Sequence, residues 1–171
     1  YANRALPALF DAWAEGDERI ACAIPEGVAT GALDQRLRGA LPHPGETVVQ
    51  GALELRVLPF VPQDEFDRVL WAADCNFVRG EDSFVRAQWA ARPFVWHIYP
   101  TEDNAHWVKL AAFLARYTEG LERAHAGAVT SLWEAWNRPA EAVAGQLARP
   151  AVSEAWPAFA ARLGALEAHA R

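Results

Sequence analysis

The sequence predicts an α/β fold: a Rossmann-like parallel sheet followed by a helical C-terminal tail. Three observations carry that reading. Between residues 19 and 98, short apolar runs of strand length alternate with segments of helical periodicity. From Asn104 onward the periodicity is helical to the end. Several apolar runs end in loops with polar and aromatic groups, two of them leading into helices, and that edge of an open α/β sheet is where ligands bind. Strands alternating with helices at this spacing mean βαβ units. At 171 residues the chain fits one substantial domain, residues 1–171.

Each element follows from local pattern. Asn3 to Ala14 has Leu6, Leu9, Phe10 and Trp13 on one helical face, and Gly16-Asp17 ends it. Arg19 to Ile24 is a short apolar run bounded by Glu18 and Pro25-Glu-Gly27, hence a buried strand. Thr30 to Ala40 reads as a helix with Thr30 as N-cap and Gly39 near the stop. Pro42 to Gly45 is a turn. Thr47–Gln50 and Leu53–Leu58 are strands, with a bend or bulge at Gly51. Asp64 to Ala73 is amphipathic through Phe66, Val69 and Leu70, with Gln63 or Asp64 as cap. Cys75–Val78 is a strand, Asp82–Ala91 a helix, and Phe94–Ile98 a strand that is apolar except for His97. Gly120, Gly127, Pro139, Pro150 and Pro157 are read as breaks between tail helices.

Composition excludes several functions. A hydrophobic content of 52% supplies a core. A formal net charge of −6 argues against non-specific nucleic-acid binding. No apolar run reaches the ~20 residues of a membrane helix, and no targeting segment stands at the start. With no methionine anywhere, the chain is expected to be a piece of a longer protein. Cys22 and Cys75 lie in apolar segments without metal-ligand spacing. They read as small buried residues in a reducing, cytoplasmic compartment. No histidine pair has metal spacing with a carboxylate, so no metal is expected.

The chemistry concentrates in Arg79-Gly-Glu-Asp-Ser83. A cation, a glycine, a hydroxyl and the start of a helix together suit a phosphate, because the first helical N–H groups lack internal partners. Glu81 or Asp82 would then serve a ribose, a sugar hydroxyl or a cationic acceptor. The same residues also suit an ordinary helix start, since no phosphate-loop fingerprint is present. Phe60 and Gln63 allow two readings as well: a ring stacked on a nucleobase with an amide on its edge, or a core aromatic and a helix cap. His97 is either a buried, hydrogen-bonded histidine or a proton carrier supporting the adjacent loop. His106 and His125 are expected at the surface. Trp107, Phe113, Trp133 and Trp136 are expected in the core.

Taken together, Leu58-Pro-Phe-Val-Pro-Gln-Asp-Glu-Phe-Asp-Arg-Val-Leu-Trp71, Asp74-Cys-Asn-Phe-Val-Arg-Gly-Glu-Asp-Ser-Phe84 and Pro93-Phe-Val-Trp-His-Ile-Tyr-Pro100 resemble the bacterial protein-arginine rhamnosyltransferases that modify translation elongation factor P. The resemblance implies the C-terminal, donor-binding half of a GT-B glycosyltransferase, with residues 1–171 as the nucleotide-sugar-binding domain. It implies dTDP-β-L-rhamnose as donor substrate, no cofactor, and an arginine of elongation factor P as acceptor. Phe60 would stack on thymine and Gln63 would bond it. Arg79, Gly80, Glu81, Asp82 and Ser83 would form the loop around ribose, diphosphate and reaction centre. Tyr1 would reach the diphosphate, and Glu81 would support the acceptor. The family's catalytic aspartates lie in a glycine-rich N-terminal segment that nothing here matches, so this chain alone is expected not to transfer rhamnose. Two rival readings are another GT-B nucleotide-sugar enzyme and a non-catalytic partner-binding domain.

Overall fold

Helical spacing near the start of the chain produces α1 (Leu6–Glu15), with Leu9, Phe10 and Trp13 buried on one face. The computed structural model describes residues 3–39, 42–137 and 151–171. The chain divides into two compact units, Tyr1–Pro62 and Gln63–Arg171. The first unit continues with β1 (Ile20–Pro25), α2 (Thr30–Leu37), β2 (Thr47–Gln50) and β3 (Leu53–Leu58). Alternate residues of β3, Leu53, Leu55 and Val57, are buried, and α1 packs on this strand. Each fully buried aliphatic side chain contributes about 1.5–3 kcal/mol.

The sheet of this unit has the order β1-β3-β2. β1 runs parallel to β3, from Ile20 opposite Leu53 to Pro25 opposite Leu58. β2 runs antiparallel to β3, from Thr47 opposite Arg56 to Gln50 opposite Leu53. The expected all-parallel sheet is therefore mixed here. Gly51-Ala52 is too short for a crossover and makes a hairpin turn rather than a bulge. Gly51 has φ +58°, and a Cβ on it would lie 2.1 Å from the Ala14 carbonyl oxygen. β1 was expected to be buried, yet only Ile24 is, because the strand is an edge of the sheet.

Thr30 does not cap α2. Ala29 occupies that position in the left-handed region (φ +59°), and the Thr30 hydroxyl donates to the Gly27 carbonyl at 3.1 Å. The helix stops at Leu37, where Arg38 turns left-handed (φ +53°). Ala40, included in the expected helix, lies outside the described residues.

The second unit contains α3 (Gln63–Ala72), β4 (Asn76–Val78), α4 (Glu81–Trp89), β5 (Phe94–Trp96), α5 (Ala105–Tyr117), α6 (Arg123–Asn137), α7 (Val152–Ala160) and α8 (Leu163–Ala170). β4, α4 and β5 form the expected βαβ unit, parallel, with Val78 opposite Trp96. Buried Asn76 donates through Nδ2 to the Leu70 carbonyl at 3.0 Å, tying the end of α3 to β4. The core is aromatic. Phe84 stacks on Trp96 at 4.0 Å, Phe94 and Phe113 pack against Phe84, and Tyr117 and Trp133 pack in turn on Phe94 and Phe113. Gly120 (φ +83°) turns the chain between α5 and α6. Gly127 and Pro157 do not break helices but lie inside α6 and α7. Pro139 and Pro150 lie outside the described residues. Among the described residues, no helix is long and apolar enough to cross a membrane.

Candidate functional site

Arg79 and Gly80 are the whole connection between β4 and α4. Gly80 stands at the cap position and no side chain caps the helix. The first intrahelical bond of this turn runs from Phe84 N–H to the Gly80 carbonyl. The N–H groups of Glu81, Asp82 and Ser83 thus precede the helical ladder, as expected of a helix start that can meet an anion. A Cβ at Gly80 would meet Ser83 Oγ at 3.7 Å and Tyr99 Oη at 3.8 Å, which is ordinary contact. Local packing alone therefore does not demand glycine there. The Arg79 guanidinium lies over the Tyr99 ring, 4.9 Å from its centroid. The Ser83 hydroxyl donates back to the Arg79 and Gly80 carbonyls at 3.2 and 3.3 Å. It must rotate to donate to a ligand, while its lone pairs can accept as it stands.

The two acidic residues of this turn separate in role. Asp82 Oδ2 accepts from Gln63 Nε2 at 2.9 Å and from Arg86 Nε at 2.9 Å. The Arg86 hydrogen bond, with that from Gln63 behind it, holds the Asp82 carboxyl below its usual range. Arg86 also donates through Nη1 to both carboxylate oxygens of Asp67 at 2.9 Å. Asp82 joins α3 to α4 through Oδ2, while its Oδ1 makes no hydrogen bond or ion pair among the described residues. Among the described residues, no side-chain hydrogen bond or ion pair is made by the exposed Glu81. Gln63 opens α3 rather than capping it by its side chain, and that side chain is held by Asp82. With Nε2 turned to Asp82, Oε1 and one remaining N–H are left for an imide edge.

In the first unit, Phe60 follows β3 and is 86% exposed. The core reading of Phe60 is excluded, and its ring is available for stacking. Tyr1 lies outside the described residues. In the second unit, His97 continues the ladder past β5, its N–H donating to the Val78 carbonyl at 2.8 Å. Burial, followed by the charge of Arg79, lowers its imidazole to about 4. His106, expected at the surface, is buried. Its Nδ1 accepts from Thr101 N–H at 2.9 Å and its own N–H donates to Thr101 Oγ1 at 3.2 Å, a reciprocal pair at the start of α5. His125 is half-buried on α6. Trp133 and Trp136 are buried, whereas Trp107 and Phe113 are half-buried. Cys22 and Cys75, expected to be buried, are half-buried, and the loss of water around each sulfur pushes the Cys22 thiol up to about 12 and raises Cys75 as well.

Among the described residues, no group of three His, Cys, Asp or Glu could hold a metal ion. Two cavities, of about 240 and 250 Å³, lie elsewhere. One is lined by Arg92, Tyr117 and His169, the other by Arg4, Thr30 and Gln35. The Arg79 turn is a surface site. Sequence reasoning missed Tyr99 and Arg86. For Arg86 the signal was its i,i+4 spacing from Asp82 on one helix, whereas Tyr99 lies beyond the last paired residues, Val78 and Trp96, and offered none.

A sequence profile of the family described as Elongation-Factor P (EF-P) rhamnosyltransferase EarP matches residues 1–171. The chain belongs to the EarP family. It is 44% identical over 171 residues to the protein-arginine rhamnosyltransferase of Pseudomonas putida, covering 100% of this chain and 43% of that protein. It is 44% identical over 137 residues to the Pseudomonas aeruginosa enzyme of the same name, covering 80% of this chain and 36% of that protein. A solved structure concerned with EarP-mediated arginine glycosylation of translation elongation factor EF-P is 42% identical, with a TM-score of 0.83. The match covers 100% of this chain and 51% of that one. The chain therefore spans less than half the length of the curated relatives it matches and corresponds to their C-terminal part.

Proposed function

We propose that this chain is the donor-binding half of a GT-B glycosyltransferase that transfers rhamnose from dTDP-β-L-rhamnose to an arginine of translation elongation factor P. The observation that carries the reading is the EarP profile match over residues 1–171. The geometry supports it. Arg79, backed by Tyr99, and the uncapped start of α4 offer positive charge and N–H donors to a diphosphate. Gln63, oriented by Asp82, suits the donor and acceptor edge of thymine. The exposed Phe60, three residues earlier in sequence, suits the base's face. Tyr1 keeps its proposed role at the diphosphate.

Transfer is proposed as an inverting displacement. A guanidinium nitrogen attacks the anomeric carbon, the bond from that carbon to the phosphate oxygen breaks, and dTDP leaves with the electron pair. Arginine is normally protonated and its lone pairs are delocalised, so a carboxylate must accept a proton. That base is assigned to a carboxylate outside residues 1–171. The leaving diphosphate gains charge, which Arg79, the α4 N–H groups and a rotated Ser83 hydroxyl stabilise more in the transition state than before it. Asp82 adds little repulsion, because Arg86 and Gln63 hold its charge. Glu81 supports the acceptor. The reading calls for no cofactor, metal, nucleic acid or membrane, and its setting is the cytoplasm.

Calorimetric titration of the full-length enzyme with dTDP, UDP and dTDP-rhamnose tests this. Preference for dTDP, weakened about tenfold or more in Phe60→Ala and Arg79→Ala, is expected. Equal affinity for UDP, or no effect of either substitution, would overturn the assignment. Glu81→Gln should lower turnover with little change in donor affinity, and unchanged turnover removes Glu81 from the mechanism.

A further inference from the structure

We propose that Asn137 is a positioning residue for the diphosphate end of this site, its carboxamide standing where a neighbouring strand would pair with the end of β5. The proposal rests on the donor-site reading above. Successive residues of a strand point their N–H and C=O groups to opposite edges. His97 N–H turns to β4, bonding the Val78 carbonyl at 2.8 Å. The Trp96 carbonyl and Ile98 N–H therefore face the other edge, where no strand pairs among the described residues. Asn137, the last residue of α6, fills that edge. Its Oδ1 accepts from Ile98 N–H at 2.9 Å, and its Nδ2 donates to the Trp96 carbonyl at 2.7 Å and the Trp133 carbonyl at 2.9 Å. Only one amide orientation satisfies these partners, since a flip would set donor against donor and acceptor against acceptor.

The bonds sit where regular pairing stops. β5 ends at Trp96, yet Tyr99, three residues on, carries the Arg79 guanidinium over its ring. Residues 96 to 98 are held by β4 on one edge and by Asn137 on the other. Trp136 packs against Phe77 at 4.8 Å and His97 at 6.3 Å, so the end of α6 is seated on the same face. Asn137 touches neither Arg79 nor Tyr99 in this chain of contacts. It acts through the backbone that leads to Tyr99, as the supporting layer of a binding constellation does.

The test compares dTDP with thymidine in the full-length enzyme, using wild type, Asn137→Leu and Asn137→Asp. The leucine removes all three bonds. The aspartate keeps the acceptor for Ile98 and loses both donors. Both variants should weaken dTDP about tenfold while thymidine affinity stays at the wild-type value, because the base is held elsewhere. Ile98 amide exchange should accelerate in the leucine variant and remain slow in the aspartate variant. Equal weakening of both ligands, or unchanged dTDP affinity, would overturn the proposal. If the leucine variant does not fold, the aspartate variant decides by the same ratio. Absence of dTDP binding in wild type overturns the donor reading and the positioning role with it; Ile98 exchange then still judges the clamp.

Discussion

His97 carries a pH dependence that its neighbours dictate. Burial, with the Arg79 charge second, lowers its imidazole to about 4, against about 6.5 in an unfolded chain. Above about 6.5 the ring is neutral in both states. As pH falls below that, the unfolded chain takes up the proton first, so stability falls until the folded group also titrates near 4. Urea midpoints measured across this window should drop in wild type and flatten in His97→Gln. Equal slopes in the two proteins would reject the assignment. Residues next to one another in sequence diverge as sharply: Asp82 Oδ2 is taken up by Arg86 and Gln63, whereas Glu81 is left exposed to solvent.

At the level of elements, short connections decide direction. A two-residue turn forces β2 antiparallel to β3, whereas α4 carries the chain back to set β5 parallel to β4. Gly51 is essential to that turn, being left-handed and pressed against the end of α1. Ala52 N–H donates to the Ala14 carbonyl at 2.9 Å on the same spot. Gly51→Ala should cost about 1–2 kcal/mol from backbone conformation alone, with the clash against Ala14 added. A denaturation midpoint equal to wild type would show that the turn is not as described. Helix starts differ in kind: α5 opens on the Thr101–His106 pair, whereas α4 opens uncapped beside Arg79.

For the whole molecule, each unit owns its core. Every tryptophan except Trp13 belongs to Gln63–Arg171, where Phe84, Trp96, Phe113 and Trp133 interlock. Residues 63–171 expressed alone should therefore keep a strong near-ultraviolet circular dichroism signal, and a flat spectrum would show that this core needs residues outside it. Sequence by itself determined the periodic helices α1, α3 and α5, the bounds of β2 and β3, and the strand–Arg79–Gly80–helix order of the candidate site. These are local properties, written in apolar spacing and in turn residues. It also carried the family resemblance, through motifs that follow one another along the chain. Tertiary structure alone decided which strands pair, since two sheets rather than one form among the described residues. It decided that Phe60 is exposed and His106 buried, that Asp82 Oδ2 is occupied, and that Tyr99 and Asn137 support Arg79 and β5. Spacing tells a residue which face of its own element it occupies, but its partners come from segments distant in sequence, brought together only by packing.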